Sequence, residues 1–179
     1  MASSADLNDL KQYHVFISYR VNSDAALAEK ICDKIQQHNV GNDLNCRFLC
    51  FLDKQNLRVG EPWKECFLKG LTHSCLFMPL LSRGSLDRLV YRNYNSEYED
   101  NLLLELETAL KLKSEGKCVI YPLFVGEVGP GGYSRFNEWG KEFGDKPCKG
   151  GTRSPKDVLQ EVFEVQGSFC NPDEIAGTP

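Results

Sequence analysis

"YHVFISYR", residues 13–20, is a short and nearly unbroken apolar run of aromatic and β-branched side chains. A strand with one face in water alternates polar and apolar residues; a continuous run is the pattern of a strand covered on both faces, as in a parallel sheet. Three further runs have the same character: "CRFLCFL" (46–52), "CLFMPLL" (75–81) and "CVIYPLFV" (118–125). They place Phe16, Phe48, Phe77 and Ile120 at the centre of the predicted sheet. Helical spacing separates the runs. Leu27, Ala28, Ile31, Cys32 and Ile35 form an apolar stripe over 24–38, with Asn22 and Ser23 offering capping oxygens. Pro62 and Trp63 open a helix to about Leu71. Leu102, Leu103, Leu106, Ala109 and Leu110 form another stripe, and Ser96 and Glu99 have the spacing of a capping box before it. "SPKDVLQEVFEV" (154–165) has a serine cap, a first-turn proline and an early aspartate, and closes the series.

Alternating strands and helices predict an α/β fold with right-handed crossovers. The expected architecture is a flavodoxin-like three-layer sandwich around a parallel sheet of four to five strands. Four strands are plain; a fifth is expected within 126–150, or is very short. The chain divides into a flexible extension (1–11), one domain (12–166) and a tail (167–179). At 179 residues it is long enough to bury a substantial core.

Composition narrows the function. The net charge of −4 gives no global electrostatic case for nucleic acid. The N-terminus has neither a basic nor an apolar leader segment, and no apolar run is long enough to enter a membrane directly. Eight cysteines, none in a CxxC pair and mostly inside apolar patterns, read as buried thiols of a cytoplasmic protein. Cys46 and Cys50 share a strand face, but no histidine pair completes a metal site; the three histidines are scattered, and no metal is expected.

On open α/β sheets ligands bind beyond the carboxyl ends of the strands, where strand order reverses; in the order 2-1-3-4-5 that point lies between the first and third strands. Those strands end in "SYR" (18–20) and "LSRG" (81–84), which brings Ser18, Tyr19, Arg20, Ser82 and Arg83 toward one crevice. Arginine forks there suit an anion such as a phosphate. A receiver domain is excluded, because no acidic pair follows the first strand and no aspartate ends the third. A Walker A motif is absent, and "GEVGPGG" (126–132) puts a glutamate and a proline where a phosphate-cradling helix should begin.

One stretch remains unexplained. "FLDKQNLRVGEPW" (51–63) interposes about ten polar, basic and glycine-bearing residues where connections usually run to about 4–6. In order and spacing "HVFISYR", "FLDKQNLRVGEPW", "SCLFMPLLSRGSLDRL", "LLLELETAL" and "CVIYPLFV" resemble the TIR (Toll/interleukin-1 receptor) domain, over residues 12 to 126. "LSRGSLDRL" and "ELETAL" look most like the NAD-hydrolysing animal TIR domain of the axon-degeneration executor. The resemblance makes 53–63 the BB loop, through which TIR domains assemble, with Asp53, Leu57, Gly60 and Trp63 on the family's spacing. It implies NAD+ as substrate and a catalytic glutamate on the helix after the third strand. Glu105 and Glu107 both flank the leucine stripe of that helix, so periodicity cannot choose between them; aligning "ELETAL" with the family pattern selects Glu105. With NAD+ as the ligand of the strand-end crevice, Arg20 and Arg83 are expected to hold the pyrophosphate and Tyr19 to stack on a base. Ser18 and Ser82 would line the crevice, with Leu57 and Gly60 contributed by the loop; Trp139, in a segment that does not align with the family, is an outside candidate for a second stacking surface. The implied activity is NAD+ glycohydrolase, switched on by self-assembly with other TIR domains in signalling or immune defence. A non-catalytic TIR scaffold is the alternative.

Overall fold

The computed structural model describes residues 13–38, 47–52, 62–126, 128–129, 132–133, 142–172 and 175. Its centre is a parallel sheet with helices on both faces. The strands are β1 (Tyr13–Ser18), β2 (Cys50–Phe51), β3 (Ser74–Ser82), β4 (Val119–Ile120), β5 (Leu123–Val125) and β8 (Ser168–Cys170). Their spatial order is β2-β1-β3-β5-β8, with β4 also paired to β3, and each pairing is parallel. A separate two-strand antiparallel ribbon joins β6 (Val128–Gly129) to β7 (Gly132–Tyr133), within 126–150 where a fifth strand is expected, but it is not part of the central sheet. The helices are α1 (Val21–Gln36), α2 (Trp63–Thr72), the single turn α3 (Arg83–Leu86), α4 (Asn101–Ser114) and α5 (Pro155–Phe163).

Alternation along β1 builds the two sides. Val15 and Ile17 join Ala28, Ile31 and Cys32 of α1 in one apolar cluster. Phe16 points the other way, among Phe51, Phe77 and side chains of α2, α4 and α5. Phe16 stacks on Phe51 with ring centroids 4.8 Å apart. Phe16, Phe77 and Ile120 are buried as expected, but Phe48 is not at the centre. The ladder with β1 begins only at Cys50, so Phe51 takes the core place. Phe48 is half-buried at the edge, its ring against His14. Helix α2 closes tightly over β2, because a Cβ on Gly70 would sit 2.5 Å from the Phe51 ring.

Several elements depart from the sequence expectation for definable reasons. The run 118–125 is two short strands. In the register set by Phe77↔Ile120 and Leu80↔Leu123, Pro79 stands opposite Pro122, and neither has an N–H for the ladder. Strand β3 nevertheless continues through Pro79 to Ser82. The fifth strand is β8, only three residues long and beyond 166, in the segment read as a tail; Phe124 pairs there with Phe169. Helix α4 begins at Asn101, capped by Asp100, and the Ser96/Glu99 box does not form. The α1 helix starts at Val21, with Arg20 in the cap position and no side-chain cap. Of the seven cysteines that are described and free, six are buried and Cys75 is exposed. Burial pushes the Cys50 thiol up to about 12, which keeps it protonated.

Candidate active site

Helix α4 starts at the carboxyl ends of β1 and β3, and what fixes it there is polar. Asp100 accepts the Leu103 N–H at 3.1 Å, an N-cap bond. Both Asp100 oxygens also accept from Arg20 Nη2, at 3.1 and 3.0 Å. Arg20 Nε donates to the Ser85 carbonyl at 3.2 Å. The end of β1, the turn after β3 and the first turn of α4 are therefore tied to one guanidinium. Its side chain is only 12% exposed and that of Asp100 10%, so this pair is largely out of water.

Glu105 lies one turn further along α4, on the edge of the leucine stripe. Ser18, at the end of β1 and 1% exposed, donates its hydroxyl to Glu105 Oε2 at 2.6 Å. Ser18 shares the strand face of Phe16, the face that α4 covers, which is why the two side chains meet. A charge-assisted bond of this length fixes the rotamer of the carboxylate. Glu105 then borders an open cavity of about 320 Å³, walled by Tyr19, Arg20, Val21, Asn22, Arg88, Glu99, Asn101 and Leu102. That volume is at the lower end for small-molecule sites, about 300–1,000 Å³. Glu99 on the rim pairs with Lys64 Nζ at 2.6 Å and so joins α2 to the approach to α4.

Glu107 has a different setting. Both its oxygens accept the Thr152 N–H, at 3.0 and 3.2 Å, and one also accepts the Thr152 hydroxyl. It faces the 148–153 connection and lines a separate open hollow of about 550 Å³ with Leu104, Thr108 and Thr152, apart from the cavity that holds Glu105.

Of the residues singled out from the sequence, Tyr19, Arg20 and Glu105 line one cavity and Ser18 supports it from behind. Ser82 and Arg83 do not line it. Ser82 is the N-cap of α3 in a reciprocal box with Ser85, and its hydroxyl donates to Asp24 Oδ2 at 2.9 Å. Asp24, 4% exposed, also accepts from Ser23 Oγ at 2.7 Å, and burial raises its carboxyl above the usual range despite these bonds. Arg83 lines a separate small cleft with Leu86, Asp87, Val90 and Phe143. Leu57, Gly60 and Trp139 lie outside the described residues, as does the loop 53–61; the side chain of Trp63 is likewise not described. Sequence reading missed Arg88, Asn101 and Asn22. Each follows the carboxyl end of a strand or opens a helix there, which is the signal that was available. Among the described residues no group of three His, Cys, Asp or Glu side chains could hold a metal ion, and no helix is long and apolar enough to cross a membrane.

Comparison with known proteins agrees with this architecture. The model of the TIR domain family matches residues 15–143. No curated protein gives a significant match. Among solved structures, the TIR domains of the activated Roq1 resistosome, which directly recognizes the pathogen effector XopQ, align at 17% identity and TM-score 0.48. That alignment covers 67% of this chain and 61% of the other. A metazoan TIR-STING receptor from C. gigas, in complex with 2′,3′-cGAMP, aligns at 15% identity and TM-score 0.53 over 92% of this chain and 38% of its own. This chain thus spans about three fifths of the first and under two fifths of the second. The family match covers most of the sequence and spans the sheet from β1 to β5, ending before α5 and β8: the chain belongs to the TIR domain family.

Proposed function

We propose that this domain is an NAD+ glycohydrolase and that Glu105 is its catalytic residue. The observation that carries the reading is the placement of Glu105: a carboxylate bonded to a buried serine, at the carboxyl ends of the central strands, bordering a cavity of ligand size. The chemistry demands little else. The bond from ribose C1′ to the pyridine nitrogen breaks, its electron pair stays with nitrogen, and a cationic ring leaves as neutral nicotinamide, so no acid has to protonate it. The ribose passes through an oxocarbenium-like state, whose positive charge Glu105 stabilises, as carboxylates do in glycoside cleavage. Water then adds to C1′ and loses its proton to give ADP-ribose; attack by an adenine nitrogen instead gives a cyclic isomer. Tyr19 offers an aromatic face to a base. Assembly with other TIR domains through the loop 53–63, in a cytoplasmic signalling or immune setting, completes the proposal.

The test is incubation of the concentrated domain with NAD+ and chromatography of the products. Nicotinamide with ADP-ribose or its cyclic isomer is expected, with a rate per molecule that rises with protein concentration and falls in Gly60→Pro. Absence of nicotinamide release at every concentration leaves the scaffold reading in its place.

A further inference from the structure

The cations around the Glu105 cavity are not equivalent. Arg20 lines the cavity but is largely committed to the fold: its Nη2 serves both Asp100 oxygens and its Nε serves the Ser85 carbonyl, which leaves Nη1. Arg83 faces a different cleft. Lys64 is engaged with Glu99. Arg88 alone among these lines the cavity with a side chain that makes no hydrogen bond or ion pair to any other described residue. It stands on the 3-10 turn Asp87–Leu89, and the next residue, Leu89, is fully buried and anchors that turn in the core. The result is an exposed guanidinium on a fixed base, with Glu105 bordering the same cavity. Such a site presents one positive and one negative group to a ligand that itself carries a cationic ring and an anionic pyrophosphate.

We propose that Arg88 is the residue that binds the pyrophosphate of the dinucleotide, and that Arg20, expected in that role from the sequence, is a positioning residue for the start of α4. The assignment rests on reading the Glu105 cavity as the NAD+ site. A guanidinium has a planar fork that meets two phosphate oxygens at once, which an ammonium does not.

Calorimetry on Glu105→Gln protein, which keeps the carbonyl acceptor for Ser18 but lacks the charge, separates binding from turnover. ADP-ribose carries the pyrophosphate; nicotinamide riboside has no phosphate. Arg88→Ala in this background is expected to weaken ADP-ribose about ten- to hundredfold, the worth of one charge-assisted contact, and to leave nicotinamide riboside unchanged. Arg88→Lys is expected to fall between. Arg20→Ala should lower the melting temperature and weaken both ligands together. Undiminished ADP-ribose affinity in Arg88→Ala, equal loss of both ligands, or no binding of ADP-ribose before mutation would each overturn the assignment. The two readings fail separately. If ADP-ribose binds through Arg88 but wild-type protein releases no nicotinamide, the glycohydrolase falls and Arg88 stands; if NAD+ is cleaved with the same KM in Arg88→Ala, the reverse holds.

Discussion

Glu105 and Glu107 sit two residues apart on α4, on the two edges of one leucine stripe, and they meet opposite surroundings. Glu107 is occupied by the backbone and hydroxyl of Thr152, which arrives from the connection before α5. Glu105 is bonded to a strand-end serine and borders a cavity. The helix does not distinguish them; what packs against each edge does. Glu107 also lines an open hollow, of about 550 Å³, so an opening alone does not separate the two. What differs is that both Glu107 oxygens are taken up by Thr152, whereas Glu105 is held by Ser18 at the carboxyl ends of the central strands, where open α/β sheets bind ligands.

The comparison breaks most severely if the start of α4 is released. Asp100→Ala removes both the helix cap and the partner of a largely buried guanidinium, and is expected to cost about 3 kcal/mol or more. Arg20→Ala should cost a similar amount, and the double variant less than the sum, because the second change removes an already orphaned group. Urea titrations of the four proteins check this; additive losses would show that the pair is not one unit.

A smaller effect separates two ways of removing the Glu105 charge. Glu105→Ala leaves the buried Ser18 hydroxyl without this acceptor and should cost about 1 kcal/mol, while Glu105→Gln keeps an acceptor and should melt like wild type. Equal melting of the two variants would mean that the Ser18 bond contributes nothing. On the other edge, Glu107→Ala is expected to cost no more than about 1 kcal/mol, because Thr152 is exposed and water can take the place of the lost bonds. The same titrations measure it.

The smallest effect concerns Asp24, beneath the turn that begins α3. Its folded-state pKa is raised by burial, so the native state binds that proton more tightly than the unfolded chain does. Its contribution to stability therefore improves as pH falls through the folded value toward the unfolded one, and is least favourable at neutral pH. Both serine hydroxyls donate to Oδ2, which an asparagine carbonyl can replace. Asp24→Asn is thus expected to be at least as stable as wild type at pH 7, with the difference shrinking under mild acid. A gap that widens on acidification would reverse the sign and refute it.

Much of the fold was legible because it is written in continuous runs. Residues 13–20 and 75–81 are apolar throughout, and the α4 stripe is regular. What escaped notice depends on partners distant in sequence. "SFC" (168–170) is too short to announce a strand; it becomes one because β5 offers a free edge. Ser96 and Glu99 have the local spacing of a cap, but Asp100 wins the position because Arg20, 80 residues earlier, holds it there. The exchange of Arg83 for Arg88 at the cavity has the same origin. Both follow β3, and only the folding of α3 and the 3-10 turn decides which points to Glu105's side. The choice between Glu105 and Glu107 came from family resemblance; the structure adds that the two have different partners, Ser18 and Thr152.

The central claim is that one of two neighbouring glutamates is catalytic and the other structural. It is tested most directly by the initial rate of nicotinamide release from NAD+ by Glu105→Gln and Glu107→Gln, assayed side by side at one protein concentration with matched melting curves. The account predicts a loss of at least about a hundredfold in Glu105→Gln, as for removal of one preorganised electrostatic group, and a rate near wild type in Glu107→Gln. Wild-type rates in Glu105→Gln, or an equal collapse in both variants, would contradict it.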